Sequence, residues 1–278
     1  ASKALAVIAG VGPGTVGLHL HPLIPHKAEG LADKRDRAPQ LPGNLQKHTL
    51  LQFWVETGNY NPIVQEINSS GGQAIGISAD VSDSKSVNDA FDKIQAQYPS
   101  SKVAAAVFNP GGGFVVKPFL ELTEEDYSTA LKSQAYVFAV SCTYSTPIIL
   151  QILQIFGSYI RQGAFNFAQR AIPLLLQARE SSEYPPTLIF TGATASLKGS
   201  AKFAAFASSK FALRALAQSL AREFGPQGIH VSHTVIDGVI DIPRTKAWVF
   251  EHEDAKLSPD AVSPALVIGC FILETHLL

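Results

Sequence analysis

The chain has 278 residues, of which 46% are hydrophobic, and a formal net charge of -1 at neutral pH. This length and composition predict a soluble globular domain with one large buried core. A near-neutral charge without a run of lysine and arginine argues against nucleic-acid binding. Cys142 and Cys270 match neither a metal-binding nor a disulfide spacing, and the sequence runs directly into an apolar strand-like segment. A cytoplasmic location is therefore expected.

Short apolar runs alternate with amphipathic segments along the chain. The runs lie at 4–10, 73–80, 102–109, 187–193 and 229–238. Apolar runs of this length suit strands that are buried on both faces of a parallel sheet, and the intervening segments suit crossover helices. The sequence therefore predicts an α/β fold with a Rossmann-type, doubly wound parallel sheet, built as a single domain over 1–278.

Three helices have ends that the sequence marks clearly. The first, within 61–72, is predicted to begin with an asparagine cap followed by proline and to stop at Gly71. The second begins at Thr123, which has a carboxylate three residues later, in a variant of the capping box. The third, within 206–225, is predicted to end at Gly225 and carries one apolar stripe, formed by Leu213, Leu216 and Leu220.

Three segments lack the pattern of a doubly wound fold. Residues 17–57 replace the first crossover with a proline-containing stretch in which only 48–56 suits a strand. Residues 137–162 form an apolar insertion that suits an amphipathic helix on the domain better than a membrane span, because proline and glutamine interrupt it. Residues 261–278 form an apolar tail, either a last strand or an unpacked end. An open alternative is that these segments are translated intron or frame-altered sequence.

Glycine and small polar residues follow several of the predicted strands. The first strand runs into GVGPGTVG at 10–17, where backbone amides could approach a pyrophosphate. The third ends at Asp80, the fourth continues into FNPGGG at 108–113, and the fifth leads into FTGATAS at 190–196. Because parallel strands end at one edge of the sheet, these segments are predicted to form a ligand site there.

In this order the motifs resemble those of the short-chain dehydrogenase/reductase family, over roughly residues 1–16, 58–136 and 163–260. The glycine turn, with Val16 in place of the usual third glycine, the Asp-Val pair, the Asn-Pro-Gly segment and DGVID at 237–241 each have a counterpart in that family. The resemblance implies NADP or NAD as cofactor. The cofactor-binding residues that it implies are Gly10, Gly12, Gly14, Asp80, Val81, Asn109, Gly111, Lys210, Gly238 and Val239.

The chain departs from the family at the catalytic positions. The family's active-site tyrosine corresponds to Phe206, and its serine corresponds to Ala193, next to Thr194. The family's asparagine falls near Gln134, so Lys210 is the member of the usual set that is unchanged. The candidate catalytic residues that the resemblance implies are therefore Lys210, Thr194, Phe206 and Gln134.

Two functions follow from this resemblance. The first is an NAD(P)(H)-dependent oxidoreductase that acts on the carbonyl or alcohol of a small molecule, with Lys210 binding the ribose. Since Phe206 has nothing to ionise, the proton must come from Thr194, from water, or not at all. The second is a non-catalytic dinucleotide-binding or structural relative of the family.

The sequence also indicates which partners to expect. A small-molecule substrate is implied, and a homo-oligomer is suggested because this family commonly pairs subunits along a helical face. No metal site is predicted, since prolines interrupt the group of histidines at 19, 21 and 26. The choice between NAD and NADP stays open, although Glu56 at the end of the second strand would favour a ribose hydroxyl.

Overall fold

The computed structural model describes residues 4–10, 49–54, 60–69, 72–110, 114–134, 163–182, 185–242, 245–249 and 256–258. In these residues six strands form a sheet: β1 (Ala4–Ala9), β2 (Thr49–Trp54), β3 (Gln73–Ser78), β4 (Lys102–Phe108), β5 (Thr187–Ala193) and β6 (His230–Ile236). The strands lie in the order β3-β2-β1-β4-β5-β6, and each neighbouring pair is parallel. The predicted doubly wound α/β fold is confirmed, and its strand order reverses between β1 and β4.

Five helices flank this sheet in the described part of the chain. They are α1 (Asn61–Ser69), α2 (Ser84–Gln97), α3 (Glu124–Gln134), α4 (Gly163–Ala178) and α5 (Ala204–Phe224). Short 3₁₀ turns occupy 119–121, 179–181, 194–196 and 225–227, and β7 (Val239–Ile240) pairs with β8 (Lys256–Leu257) in a separate parallel ribbon. The predicted strand at 48–56 is β2, whereas the rest of 17–57, the insertion 137–162 and the tail 261–278 lie outside the described residues.

The alternation of side chains along β1 divides the core into two layers. Leu5, Val7 and Ala9 face the larger cluster, which α2, α4 and α5 cover. Ala6 and Ile8 face the smaller cluster beneath α1. Both faces are therefore apolar, as continuous hydrophobic runs require in a parallel sheet with helices on each side. A row of aromatic rings crosses the larger cluster, formed by Phe91, Phe167, Phe108 and Phe190.

The predicted helix ends have different outcomes: Asn61 is the first residue of α1, and the predicted stop at Gly71 lies outside the described residues. At α3, Asp126 N donates to Thr123 Oγ1 and Thr123 N donates to Asp126 Oδ2, each at 3.1 Å, so the predicted capping box is confirmed. The end of α5 is partly different, because Gly225 follows the last α-helical residue but is itself right-handed. A 3₁₀ turn continues the chain to Gly228, whose φ of 84° is the left-handed conformation typical of a glycine that ends a helix.

Candidate active site

The ends of β1 and β4 meet closely at the point where the strand order reverses. Gly10 follows β1 with a φ of 85°, and an ideal Cβ on it would lie 2.4 Å from the backbone carbonyl of Asn109. Asn109 is buried and donates from Nδ2 to Gly10 O at 2.9 Å. Only glycine fits this junction, because any Cβ would strike backbone and the positive φ disfavours other residues.

Asp80 lies at the same carboxyl edge of the sheet, two residues after the end of β3. Its Oδ1 accepts hydrogen bonds from Ser82 N at 2.8 Å and from Ser82 Oγ at 2.6 Å. Val81 is buried, and its carbonyl accepts a hydrogen bond from Asn166 Nδ2 on α4 at 3.2 Å. This turn is therefore fixed in place, and Asp80 presents a half-buried carboxylate at the carboxyl edge of the sheet.

Lys210 projects from α5 toward the end of β5. The residue is only 6% exposed, and its Nζ donates to Thr191 O at 2.9 Å. Burial lowers the pKa of Lys210 from its ordinary value of 10.5 to about 8. A buried ammonium is costly to the fold, so its position at the end of a strand is typical of a functional group.

Thr194 begins the 3₁₀ turn that follows β5. Its Oγ1 donates to Asp237 Oδ1 at 2.5 Å, across the ends of the adjacent strands β5 and β6. The carbonyl of Thr194 accepts from Leu197 N at 2.9 Å and Lys198 N at 3.2 Å, so the turn is anchored through the backbone. The Thr194 hydroxyl and the Asp237 carboxylate are thus held together at the carboxyl edge of the sheet, three residues after Thr191.

Phe206, which the resemblance aligns with the family's tyrosine, lies in the first turn of α5. Lys210 Nζ lies 5.8 Å from the centre of the Phe206 ring. The edge of Phe114, from the segment after β4, meets Phe206 with the ring centres 5.0 Å apart. Phe203 also contacts Phe114, at 5.9 Å, and Trp248 stacks on Phe114 at 5.5 Å. We call these four side chains the aromatic cluster; it is apolar and offers no ionisable proton.

His233 lies beneath this region, on β6. An ideal Cβ on Gly192 would lie 2.2 Å from His233 Cε1, so the imidazole fills the space above that glycine. His233 Nε2 and Thr191 Oγ1 are buried and have no hydrogen-bond partner. Burial, followed by the charges of Lys210 and Arg214, lowers the pKa of His233 to about 4. The imidazole is therefore neutral at neutral pH.

The structure brings three of the four predicted catalytic residues together. Lys210, Phe206 and Thr194 lie where the start of α5 meets the end of β5. Gln134 is the last residue of α3, and its side chain lies outside the description. Gly10 and Asn109 contact one another, and Gly238 and Val239 follow β6, whereas Gly12, Gly14 and Gly111 lie outside the described residues. The roles of all these residues stay predictions.

Sequence reasoning missed several residues of this site. Asp237 and His233 were not singled out, nor were Phe114 and Trp248 in the aromatic cluster. One signal was available for Asp237, since it stands at a strand's carboxyl end where the family has proline. The other three are brought to the site by tertiary contacts that no local pattern encodes.

Two further properties bear on the class of protein. Among the described residues, histidine, cysteine and carboxylate side chains do not gather in a group that could hold a metal ion. None of the helices described above is long and apolar enough to cross a membrane.

Comparison with known proteins agrees with this geometry. Residues 160–251, from before α4 to beyond β7, match the family model for short chain dehydrogenase. No curated protein sequence gives a significant match. Among solved structures, a short-chain dehydrogenase from Rhodopseudomonas palustris is 25% identical with a TM-score of 0.63, covering 95% of this chain and 90% of that one.

Two more distant structures share the fold. A hydroxysteroid dehydrogenase from Escherichia coli is 18% identical with a TM-score of 0.62, covering 97% of this chain and 89% of that one. A short-chain dehydrogenase from Shigella flexneri, solved with NADP, is 18% identical with a TM-score of 0.64, covering 95% of this chain and 89% of that one. The strand order, the matched region 160–251 and these structures make the chain similar to the short-chain dehydrogenase/reductase family.

Proposed function

We propose that the protein is an NAD(P)(H)-dependent oxidoreductase that acts on a carbonyl or alcohol group of a small molecule. The observation that carries this proposal is Lys210, a buried ammonium held by Thr191 O beside Thr194 at the end of β5. A fold that keeps such a charge buried gives up stability, and a catalytic or binding role explains why it is retained. The Shigella flexneri structure with NADP supports this class of cofactor.

The residues at the strand ends fit a dinucleotide. Gly10 lies so close to Asn109 that a Cβ would fill the junction, and this is the type of turn that lets backbone amides reach a pyrophosphate. Asp80 and Val81 would hold the adenine side, while Gly238 and Val239 would flank the nicotinamide. The bound dinucleotide would supply hydride chemistry, and the protein would supply orientation and charge.

Each residue near the reacting carbon has a separate part in this proposal. The Lys210 ammonium would donate to a ribose hydroxyl and would stabilise negative charge on the substrate oxygen. The Thr194 hydroxyl would orient the carbonyl by hydrogen bonding. Phe206 provides an apolar wall and no proton, so its neighbours in the aromatic cluster favour a substrate that is apolar next to its carbonyl.

A second function is favoured by one observation. Because Phe206 carries no phenol, the protein would serve as a dinucleotide-binding relative without turnover if no other group supplied the proton. Titration calorimetry with NADPH and NADH, next to a turnover assay on aliphatic and aromatic ketones and alcohols, separates the two. Micromolar binding with turnover supports the oxidoreductase, binding without turnover supports the second function, and the absence of binding contradicts both.

We also propose a cytoplasmic homo-oligomer. Phe165 on α4 and Phe211 on α5 are large apolar side chains with exposures of 36% and 43%, and their burial between subunits would be favourable. Light scattering of the purified full chain measures the assembly. A monomer at all accessible concentrations would contradict this part of the proposal.

A further inference from the structure

We propose that Asp237, acting through the Thr194 hydroxyl, accepts and returns the proton that the family's tyrosine otherwise carries. The inference rests on the proposed oxidoreductase function and identifies which side chains move the proton in its active site. Asp237 is a positioning and proton-holding residue in this scheme, and Thr194 is the group that contacts the substrate oxygen.

The geometry of the strand ends supports this pairing. Ala193 and Ile236 are register partners at the ends of β5 and β6, so the next residue on each strand leaves the sheet at the same level. Thr194 Oγ1 donates to Asp237 Oδ1 at 2.5 Å across this gap. Asp237 is exposed and can exchange a proton with water, whereas Thr194 is half-buried.

Other side chains near the site are less suited to carry the proton. Phe206 has none to give, and the Lys210 ammonium, which donates to Thr191 O, is already assigned to the ribose hydroxyl in the proposed function. His233 lies under α5 against Gly192, with its free nitrogen buried. A threonine hydroxyl alone is a weak acid and base near neutral pH, but a hydrogen-bonded carboxylate allows it to pass a proton on without itself becoming charged.

The step balances in both directions. In alcohol oxidation the carbinol C–H bond breaks and its hydride passes to an oxidised nicotinamide dinucleotide, which is the oxidant of the proposed function. The substrate O–H bond breaks at the same time, its proton moves to Thr194 Oγ1, and the proton already on Oγ1 moves to Asp237 Oδ1. The products are a carbonyl, a protonated carboxyl group and the reduced cofactor. Carbonyl reduction reverses each of these transfers.

Several charged groups lie on the elements next to this pair. Lys210 and Arg214 are on α5, and Arg214 Nη1 donates to Ser196 O at 3.4 Å. His233 is on β6. Asp241, which follows β7, forms an ion pair at 3.7 Å with Lys256 on β8. Asp237 is hydrogen-bonded to Thr194, which contacts the substrate oxygen in this scheme, whereas Asp241 pairs with Lys256. Asp241 is therefore a matched control for Asp237.

The test measures alcohol oxidation by the full-length protein with saturating NAD or NADP. Asp237→Asn is expected to lower kcat about 100-fold, within the range of general acid–base catalysis, and to change the shape of the pH profile of kcat. Asp237→Glu should restore part of the rate, while Asp241→Asn should keep the parent's profile. NADP affinity by calorimetry should change by no more than about threefold, since this hydrogen bond lies outside the pyrophosphate junction.

A second measurement does not depend on turnover. The urea midpoints of Thr194→Val, Asp237→Asn and the double variant test whether the two side chains act as a pair, and the double variant should lose no more than either single variant. Additive losses would overturn the pairing. If the parent oxidises alcohols and Asp237→Asn leaves kcat and the pH profile unchanged, the proton role is wrong while the oxidoreductase function stands. If the parent binds dinucleotide without any turnover, the oxidoreductase function fails and the proton role fails with it.

Discussion

The two halves of the sheet's carboxyl edge are built in different ways. At β1 and β4 the contacts are made mainly by backbone, with Gly10 packed on the carbonyl of Asn109. At β5 and β6 the contacts are made by side chains, in the Lys210, Thr194 and Asp237 hydrogen bonds. The backbone contact restricts position 10 to glycine but does not indicate which reaction the site could carry out. Side-chain contacts allow substitution, and Phe206, predicted to stand in place of the family's tyrosine, lies in this half.

The largest effect is expected from a substitution at the junction of β1 and β4, where the contacts are made mainly by backbone. Gly10→Val would place a branched side chain at a φ of 85° and within 2.4 Å of Asn109 backbone atoms, so we expect a loss of more than about 3 kcal/mol in unfolding free energy. Urea unfolding measures it. Gly199→Ala is the matched control, because an added Cβ there meets nothing within 4 Å. Equal midpoints for the two variants would contradict the close junction.

The second effect concerns the charge buried in the other half. Lys210→Met should raise the unfolding free energy at neutral pH by about 2 kcal/mol, since about 3 kcal/mol of charge burial is removed and about 1 kcal/mol of hydrogen bonding is lost. The folded-state pKa of about 8 lies below the ordinary 10.5, so the unfolded chain holds the proton more tightly. The buried charge therefore lowers the parent's unfolding free energy by its full amount below pH 8, and this loss disappears as the pH rises to 10.5.

Urea unfolding of both proteins across this pH range provides the measurement. Dinucleotide affinity should fall in the same variant, by about tenfold, because a charge-assisted hydrogen bond to the ribose is lost. A variant that is both less stable and unchanged in cofactor affinity would show that Lys210 is a structural residue only.

The third effect is expected from a phenol introduced at position 206, near the ends of β5 and β6. Phe206→Tyr places a hydroxyl on the ring whose centre lies 5.8 Å from Lys210 Nζ, and the nearby ammonium should favour its ionised form. Turnover of a ketone panel is expected to rise at least about tenfold, which is a small part of what acid–base catalysis can supply. Phe203→Tyr is the control, since it also contacts Phe114 but is on the helix cap. An equal rise in both variants would argue that added polarity, rather than position, causes the change.

The smallest effect concerns His233. Its folded-state pKa of about 4 lies below the ordinary 6.5, so the unfolded chain binds the proton first as the pH falls. The parent should lose stability between pH 6.5 and pH 4, by about 1–2 kcal/mol once partial solvent screening is allowed for. His233→Leu should remove this part of the pH dependence, and His230→Leu on the same strand should keep it. Thermal unfolding across this pH range distinguishes them.

The sequence predicted the fold well because the signal is repeated along the chain. Continuous apolar runs marked β1, β3, β4, β5 and β6, and the run at 187–193 matches β5 at both ends. The capping box at Thr123 could be predicted because both partners lie within one helical turn. The second strand was only one interpretation of 48–56, since no patterned helix precedes or follows it within 17–57.

The candidate site was harder to predict for a physical reason. Lys210, Phe206 and Thr194 could be located because a family motif places them at fixed spacing, although their roles stay predictions. Asp237 meets Thr194 across 43 residues of sequence, and the aromatic cluster joins Phe114 to Trp248 from separate segments. Such pairs depend on the packing of several elements, so neither periodicity nor capping chemistry indicates them.

The packing of His233 against Gly192 limits which substitutions either position can accept. The imidazole occupies the volume that a side chain at 192 would need, with Cε1 at 2.2 Å and Nε2 at 2.4 Å from an ideal Cβ. A larger residue at 192 is therefore acceptable only after His233 has been replaced by a small one, which makes the two substitutions strongly epistatic. Designs that place a larger residue at 192 would have to exchange both positions in one step.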